Sequence, residues 1–323
     1  MARFLVTDYD FPDLELERRL FRDAGMELVV AQCRSEDEVI EAAAGCDGLL
    51  VQYAPVNAKV FAARPQIRIA SRYGAGYDTI DVNDARRYGV WVANSPDYGV
   101  GEVATHALAM ALALLRHLPQ YDRDIRAGRW HYTSGGPIRR AADLTLGIVG
   151  LGRIGKRMAH VSRNVFARVI ACDPYIIDGD FPAYVERVEL PTLFAQADVI
   201  SLHVPLNAET RGLVDARLLA RVRRGAVLVN TARGAVVDID ALLAALDAGV
   251  LDGAALDVLP IEPPPADHPL LAHPRVLLSP HAAFYSDAAE VELRRKAAQN
   301  LIDWARTGRP RYVVVEGSNG ARH

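Results

Sequence analysis

The sequence predicts an α/β protein built on two parallel sheets. Short runs rich in β-branched and apolar residues alternate with Ala-, Leu- and Arg-rich segments of helical period, which is typical of parallel strands joined by crossover helices. The predicted strands fall into two series, separated by the turn-prone residues 93–96. At 323 residues the chain is long enough for two domains, because single cores tend to split beyond about 250 residues.

The predicted strands and their connections define this organisation in more detail. The first series of predicted strands comprises Arg3–Thr7, Glu27–Val30, Gly48–Val51, Ile67–Ala70 and Val90–Ala93. The second series comprises Thr145–Gly150, Val169–Asp173, Val199–His203, Ala226–Asn230, Gly253–Asp257 and Val276–Ser279. Between them, residues 101–116 are predicted to form a helix with one buried stripe. Residues 130–140, rich in aromatic side chains and Arg, are interpreted either as a surface loop or as a dimer arm.

Composition and charge exclude several functional classes. Hydrophobic residues make up 50% of the chain and charged residues 24%, as in an ordinary soluble globular protein. A net charge of -3 gives no bulk reason to expect nucleic acid or an anionic membrane as partner. The three cysteines are widely spaced without a C-x-x-C pair, which argues against a disulfide framework and a metal site. Without a signal peptide or a membrane span in the sequence, we expect a soluble, cytoplasmic protein.

A glycine-rich loop directly follows the first strand of the second series and leads into a predicted helix. In this G-x-G-x-x-G motif, Gly150 permits a tight turn, Gly152 allows the backbone to approach a pyrophosphate, and Gly155 lets the helix pack closely on the strand. The helix N-terminus offers free N–H groups to the phosphates, and Arg153 can add a charge-assisted bond. The residues predicted to contact the dinucleotide here are Gly150, Gly152, Arg153, Ile154 and Gly155.

An aspartate at the end of the next strand indicates which dinucleotide binds. The carboxylate of Asp173 can accept both hydroxyls of the adenosine ribose and would repel a 2′-phosphate. The residues after it are Pro174 and Tyr175, not the Arg expected for NADP. An aspartate that merely closes a strand is the alternative, but after a complete glycine motif the sequence predicts NAD as the cofactor.

Three later segments each place one charged or titratable group, Arg233, Glu262 or His281, just after an apolar run. Reduction of a 2-keto acid needs a cation for the carboxylate and the developing alkoxide, for which a planar guanidinium is suited. It also needs a proton donor that titrates near neutrality, such as His281, and a carboxylate such as Glu262 to orient that ring. The nicotinamide supplies the hydride. Singly, each residue has an ordinary explanation as surface charge, turn or cap, so the prediction depends on their occurring together.

These motifs resemble the D-isomer-specific 2-hydroxyacid dehydrogenase family over residues 3–312. The matching segments are G-L-G-R-I-G at Gly150, C-D-P at Cys172, N-T-A-R-G at Asn230, L-D-V at Leu256, S-P-H-A-A at Ser279 and R-Y-G-A-G-Y-D-T-I-D at Arg72. The resemblance implies two flavodoxin- or Rossmann-like parallel-sheet domains with the site in a cleft between them. It assigns residues 1–96 and 283–323 to a substrate domain and residues 97–282 to an NAD-binding domain. It also implies a homodimer.

Position by position, the resemblance implies roles for individual residues. Arg233 binds substrate, while His281 and Glu262 form the acid/base pair. Asp173 binds the adenosine ribose and Asp257 the nicotinamide carboxamide. Further expected cofactor contacts are His203, Val204, Pro205, Thr231, Ala232 and His281. Expected substrate contacts are Tyr53, Arg72, Tyr73, Gly74, Ala75, Gly76 and Phe284, with the backbone amides of the glycine-rich turn holding the substrate carboxylate.

Within the family, the chain is most similar to the branch that contains the phosphoglycerate dehydrogenases and the C-terminal-binding-protein corepressors. Arg72, Asp173-Pro174-Tyr175 and the segment H-A-A-F-Y-S-D at His281 carry this similarity. Arg72 is expected either to contact a second polar group of the substrate or to pair with Asp78 or Asp81. The main hypothesis is an NAD-dependent oxidoreductase that interconverts a small 2-keto acid and its D-2-hydroxy acid. The alternative is an NAD(H)-sensing corepressor or binding protein with little turnover.

Overall fold

The structure is a computed structural model and describes residues 1–318. Its strands are β1 (Arg3–Val6), β2 (Glu27–Val30), β3 (Gly48–Val51), β4 (Ile69–Arg72), β5 (Trp91–Ala93), β6 (Thr145–Val149), β7 (Arg168–Cys172), β8 (Glu186–Arg187), β9 (Val199–Leu202), β10 (Ala226–Asn230), β11 (Leu251–Leu256), β12 (Val276–Leu278) and β13 (Val313–Val315). Its α-helices are α1 (Glu15–Asp23), α2 (Glu36–Ala42), α3 (Ala58–Ala63), α4 (Val82–Tyr88), α5 (Val100–Leu115), α6 (Leu118–Arg126), α7 (Arg153–Ser162), α8 (Leu190–Gln196), α9 (Ala216–Leu219), α10 (Ile239–Asp247), α11 (Pro269–Ala272) and α12 (Asp287–Thr307). Short 3-10 turns occur at Ala141–Asp143, Asp178–Asp180 and Gly234–Val236.

The chain forms two compact units. Unit 1 comprises residues 1–98 together with the chain from residue 286 onward, and unit 2 comprises residues 99–285. The assignment of residues 1–96 and 283–323 to substrate and of 97–282 to NAD stays a prediction about function. Residues 319–323 of that assignment lie outside the described part of the chain.

Unit 1 is built on a sheet with the strand order β13-β5-β4-β3-β1-β2. The strands β1 to β5 are parallel and carry apolar runs such as Gly48–Val51, which is buried at every position. Such continuous burial is expected when helices cover both faces of a parallel sheet. The antiparallel edge strand β13 was not predicted, since it is short and is fixed by pairing with β5. The sheet of unit 1 is therefore parallel except at this edge.

Unit 2 is built on a sheet with the strand order β12-β11-β10-β9-β6-β7-β8, and all its pairs are parallel. β6 pairs with β7 on one side and with β9 on the other, so the direction of winding reverses between β6 and β9. A crevice at the carboxyl ends of the strands at such a reversal is where open α/β sheets bind ligands. Strand β8 was missed because its residues, Glu186 and Arg187, are both charged and exposed. Together the two units confirm the predicted fold class of two parallel-sheet α/β domains.

Two further features of the described chain concern its surface and its ion-binding capacity. The segment after α6 has turns but no helix or strand until Ala141, and it exposes 83% of Trp130 and 82% of Tyr132. Within residues 1–318, no helix is long and apolar enough to cross a membrane. The same residues contain no group of three or more His, Cys, Asp or Glu side chains that could hold a metal ion.

Candidate active site

The glycine-rich loop of unit 2 connects β6 to α7 at the reversal point of the sheet. Gly150 has a φ of 89°, and a Cβ atom added there would lie 2.7 Å from the carbonyl oxygen of His203. A Cβ atom on Gly155 would lie 2.0 Å from the carbonyl oxygen of Gly150. Gly152 precedes the first residue of α7, Arg153, and a Cβ atom there would meet no other atom within 4 Å. The loop thus has the close packing at Gly150 and Gly155, and the open helix N-terminus, that fit a dinucleotide pyrophosphate.

Asp173 follows β7 and lies beside this loop. Its Oδ2 atom accepts the N–H of Leu151 at 2.8 Å, and its Oδ1 atom accepts the N–H of Tyr175 at 3.0 Å. A carboxylate has about four acceptor sites, so these two bonds fix the group and leave capacity for ribose hydroxyls. The hydroxyl of Tyr175 hydrogen-bonds the carboxylate of Glu209, which the sequence did not single out. Two carboxylates therefore flank Tyr175, whose side chain is largely exposed.

His203, Val204 and Pro205 follow β9, the other strand at the reversal point. The N–H of His203 donates to the carbonyl of Val149 at 2.7 Å. The carbonyl of His203 and the side chain of Val204 then lie against Gly150. Burial lowers the pKa of His203 to about 4, so the ring is neutral at neutral pH and shares a hydrogen bond with Ser201 at 2.9 Å. The Pro205 carbonyl accepts the Thr210 hydroxyl at 2.6 Å. The structure brings His203 and Val204 to the glycine loop, and their contact with the cofactor stays a prediction.

Arg233 lies on the turn that follows β10, and a buried amide shapes that turn. Asn230 is only 1% exposed; its Nδ2 atom donates to the carbonyl of Arg233 at 2.9 Å and its Oδ1 atom accepts the N–H of Ala232 at 3.0 Å. In the sequence, Asn230 is only part of the N-T-A-R-G segment, and its spacing predicts no role for it. The hydroxyl of Thr231 is buried and, among residues 1–318, has no hydrogen-bond partner. An unpaired buried hydroxyl costs free energy, so this atom fits a polar partner supplied by a ligand such as the nicotinamide.

Glu262 and His281 are brought together as a hydrogen-bonded pair. The Nδ1 atom of His281 lies 2.6 Å from Oε2 of Glu262, whose Oε1 atom accepts the N–H of Leu259 at 2.8 Å. Burial alone would raise the pKa of Glu262, but the bond and charge of His281, the Leu259 amide and the charge of Arg233 together lower it. The ionised Glu262 has only acceptors, so Nδ1 of His281 carries its hydrogen toward the carboxylate. The other ring nitrogen, Nε2, is then the atom that can exchange a proton with a substrate.

The turn that carries His281 is held by Asp257, at the end of β11. His281 has a φ of 54°, a conformation that a residue other than glycine adopts only where surrounding contacts enforce it. The N–H groups of three successive residues, His281, Ala282 and Ala283, donate to the Asp257 carbonyl, Oδ1 and Oδ2 at 2.8, 2.8 and 3.0 Å. Asp257 is 2% exposed, and Phe284 packs with its ring 6.5 Å from that of His281. Binding of the nicotinamide carboxamide by Asp257 stays a prediction.

In unit 1, Tyr73 does not have the orientation that was expected. Its side chain is 2% exposed, packs edge-on against Phe11 with ring centroids 5.1 Å apart, and donates its hydroxyl to Glu17 at 3.1 Å. Burial and the Glu17 carboxylate raise the pKa of Tyr73 well above its usual value, which keeps this donor protonated. Glu17 is fully buried and also accepts two bonds from Arg294, at 2.9 and 2.8 Å. The Tyr73 ring therefore lies in the interior of unit 1 instead of facing a substrate, which corrects the prediction for this residue.

The glycine-rich turn after β4 offers main-chain donors. Gly74 has a φ of 149°, and its carbonyl accepts the N–H of Ser95 at 2.8 Å, while the Ala75 carbonyl accepts Nδ2 of Asn94 at 2.7 Å. Within the described chain, the N–H groups of Ala75 and Gly76 donate to no other group. Both residues are partly exposed. Two adjacent N–H groups without an acceptor in the described chain are suited to bind a carboxylate.

Arg72 and Tyr53 lie near this turn. The guanidinium of Arg72 lies against Gly74, where an added Cβ atom would be 1.3 Å from Nη1. Asp81, one of its two candidate partners, caps α4 by accepting the N–H groups of Asn83 and Asp84. The side chain of Tyr53 is 52% exposed, and its N–H donates to Asp8 at 2.6 Å. Asp8 also accepts the N–H groups of residues 52 and 54 and so shapes the loop after β3.

Comparison with known proteins agrees with this geometry. Residues 108–283 match the family model described as "D-isomer specific 2-hydroxyacid dehydrogenase, NAD binding domain". The chain is 39% identical to the glyoxylate reductase of Korarchaeum cryptofilum (strain OPF8) over 286 residues, which cover 87% of this chain and 86% of that protein. It is 34% identical to the D-3-phosphoglycerate dehydrogenase of Archaeoglobus fulgidus over 287 residues, or 88% of this chain but only 54% of the relative.

A solved structure extends the similarity to nearly the whole chain. The crystal structure of a glyoxylate reductase from Paecilomyes thermophila superposes with a TM-score of 0.87 at 27% identity, covering 97% of this chain and 98% of that one. The phosphoglycerate dehydrogenase match supports that part of the predicted branch, and the chain spans about half the length of that relative. The protein therefore belongs to the D-isomer-specific 2-hydroxyacid dehydrogenase family and carries the NAD-binding domain of that family.

Proposed function

We propose that the protein is an NAD-dependent dehydrogenase that interconverts a small 2-keto acid and its D-2-hydroxy acid. The observation that carries the proposal is the contact of 2.6 Å between His281 and Glu262, on a turn fixed by Asp257. This pair follows β11 and β12, and so stands at the same carboxyl edge of the parallel sheet as the glycine loop after β6. The relatives named glyoxylate reductase and D-3-phosphoglycerate dehydrogenase support the same class of substrate.

In the direction of reduction, His281 acts as the general acid. Its Nδ1 atom is held by the Glu262 carboxylate, so protonated His281 presents Nε2–H to the carbonyl oxygen of the substrate, and in oxidation neutral Nε2 accepts the proton. The Glu262 carboxylate orients the His281 ring, while Arg233 binds the substrate carboxylate or carbonyl oxygen. Bound NADH supplies the hydride. The residues that would hold this cofactor are the glycine loop, Asp173, His203, Val204, Pro205, Thr231 and Ala232.

The cofactor is proposed to be NAD rather than NADP. Asp173, held by two amide N–H groups, accepts the ribose hydroxyls and repels a 2′-phosphate. Glu209, bonded to Tyr175, adds a second negative charge on the same side. In unit 1, we assign the substrate carboxylate to the N–H groups of Ala75 and Gly76, with Arg72 as an additional cation for a polar substituent of the substrate.

A second copy of the chain is the proposed partner. Residues 127–140 expose Trp130 and Tyr132 almost fully, and two exposed aromatic side chains on a segment without regular structure are typical of an interface. We expect a homodimer in solution. Light scattering after size exclusion should give twice the mass of the chain for the wild-type protein and a lower mass for the double variant Trp130→Ala/Tyr132→Ala. A wild-type monomer would contradict this proposal without affecting the catalytic one.

The activity is tested with a panel of 2-keto acids and NADH. Glyoxylate, pyruvate and longer 2-keto acids are supplied in turn, NADH oxidation is followed by absorbance, and the chirality of the product is determined. We expect turnover of at least one acid, a D product where the product is chiral, and a lower rate with NADPH. NADH binding and NADH-driven self-association without turnover of any of these acids would instead favour the NAD(H)-sensing alternative.

A further inference from the structure

His106, in the middle of α5, is joined to the proposed acid/base turn by a short chain of hydrogen bonds within unit 2. Its Nε2 atom lies 2.9 Å from the hydroxyl oxygen of Ser279, which directly follows β12. That hydroxyl donates to Oδ1 of Asp257 at 2.5 Å, and Nε2 of His106 is itself 3.7 Å from the same oxygen. No role for His106 follows from the chemistry proposed above.

The donors and acceptors of this chain can be placed in order. The Asp257 carboxylate has no hydrogen of its own and accepts from the N–H groups of Ala282 and Ala283 as well as from Ser279. Since Ser279 has a single hydroxyl hydrogen and gives it to Asp257, its oxygen is left to accept one from His106. The order is therefore His106 Nε2–H to Ser279, and Ser279 O–H to Asp257. This chain of hydrogen bonds ends at Asp257, the residue that accepts the N–H groups of His281, Ala282 and Ala283.

We propose that His106 is a positioning residue for proton transfer by His281, acting through Ser279 and Asp257. The inference rests on the proposed function of His281. A positive φ at a histidine is kept only when neighbouring contacts hold it, and here these contacts converge on one buried residue, Asp257, through its carbonyl and its carboxylate. His106 and Ser279 fix the rotation of that carboxylate, so that Oδ1 meets Ala282 and Oδ2 meets Ala283. Without them the His281 ring would occupy a wider range of positions relative to Glu262 and the substrate.

Two replacements of His106 separate this role from simple packing between α5 and β12. His106→Gln retains a side-chain N–H donor at a similar distance from the backbone, whereas His106→Leu keeps an apolar side chain of similar size and removes the donor. Met110 provides a matched control, because it lies one helical turn further along α5 and its sulfur lies 3.9 Å from the same Ser279 hydroxyl. The Met110→Leu variant disturbs the same contact surface but leaves the chain of hydrogen bonds intact.

The experiment compares kcat, KM for NADH and the melting temperature of wild type, the His106 variants, Ser279→Ala and the double variant His106→Leu/Ser279→Ala. Outer partners of site residues typically contribute about 10- to 100-fold, so His106→Leu should lower kcat by roughly that factor at temperatures well below its melting point. The KM for NADH should change much less than kcat, and His106→Gln should recover most of the loss. Because both residues act on one path, the double variant should be no slower than the slower single variant. Met110→Leu should stay within about twofold of wild type.

A wild-type kcat in His106→Leu would overturn the inference. It would also be overturned if the double variant lost as much kcat as the product of the fold-losses in His106→Leu and Ser279→Ala. A loss in His106→Gln as large as that in His106→Leu, at equal melting temperature, would also overturn it. If His106→Leu does not fold, Ser279→Ala carries the test, since it removes one oxygen and breaks the same path. Failure of the proposed function is recognised separately, by full activity of His281→Ala.

Discussion

Replacing Glu262 with Gln tests the acid/base pair with a change of one atom. The glutamate uses its two oxygens for two donors: Oε1 accepts the N–H of Leu259 at 2.8 Å and Oε2 faces Nδ1 of His281 at 2.6 Å. Glutamine has only one acceptor oxygen, so one of these donors would meet an NH2 group instead. The variant also removes the negative charge that faces Nδ1 of His281.

The size of the effect can be worked out from this geometry. A hydrogen bond to a charged group contributes about 1.5–3 kcal/mol. The side chains of His281 and Glu262 are 32 and 35% exposed, so solvent partly screens their interaction. The free energy lost on replacing Glu262 should therefore lie near the lower end of this range, at about 1.5–2 kcal/mol. Because about 1.4 kcal/mol corresponds to a factor of ten, Glu262→Gln should lower kcat/KM for keto-acid reduction roughly 10- to 30-fold.

The assay is the initial rate of NADH oxidation with a 2-keto acid that the wild-type protein reduces, together with urea unfolding at several pH values. The folded-state pKa of Glu262 is lowered from 4.5, so the pair stabilises the fold above that pH and this contribution is lost as the pH falls through the lowered pKa. The difference in free energy of unfolding between wild type and variant should therefore shrink on acidification. Glu186→Gln, an exposed carboxylate paired with Arg168, is the control. Unchanged kcat/KM in Glu262→Gln would refute the reasoning.

Three further changes probe the cofactor loop and the core of unit 1. Asp173→Ala should raise the ratio of kcat/KM for NADPH to kcat/KM for NADH by about tenfold or more, because the variant no longer repels the 2′-phosphate of NADPH. Steady-state rates with the two cofactors measure this ratio, and an unchanged ratio would contradict the role of Asp173. Gly155→Ala should weaken NADH binding by more than about tenfold in a fluorescence titration, since the added Cβ would lie 2.0 Å from the Gly150 carbonyl. Glu17→Gln should lower the free energy of unfolding by about 3 kcal/mol in urea, because it removes the charge of the fully buried carboxylate that pairs with Arg294 and leaves only Asp13 and Glu290 to compensate that guanidinium. The exposed Glu15→Gln on α1 is the control, and equal stabilities would argue against the buried pair.

Much of the fold follows from local sequence pattern. Apolar runs such as Gly48–Val51 and Ala226–Asn230 are buried at every position, and a glycine motif placed between strand and helix needs the conformations that only glycine adopts freely. The two strands that were missed are short and lie at the edges of their sheets. Glu186–Arg187 is a charged edge strand, and Val313–Val315 is ordered by antiparallel pairing with a strand far away in the chain.

In the site, too, some features follow from local sequence pattern and others from contacts between residues far apart in the chain. The sequence predicts Arg233, Glu262 and His281 as site residues because each comes after an apolar strand, on the edge where parallel sheets bind ligands. It does not predict the orientation of Tyr73, since that is decided by Glu17 and Arg294, which come from other parts of the chain and meet only in the folded unit. The contact between His106 and Ser279 spans 173 positions, and no spacing rule in a single sequence reports such a contact.

The most direct test of the account is the rate of NADH oxidation by wild type and His281→Ala with the best substrate of the keto-acid panel. NADH affinity and melting temperature are measured alongside, and His273→Ala, whose ring contacts the exposed Asp247, serves as the control. We expect His281→Ala to bind NADH and remain folded while kcat falls at least about 100-fold, as for removal of a general acid, and His273→Ala to match wild type. Turnover by His281→Ala at the wild-type rate would contradict the central claim that His281 transfers the proton.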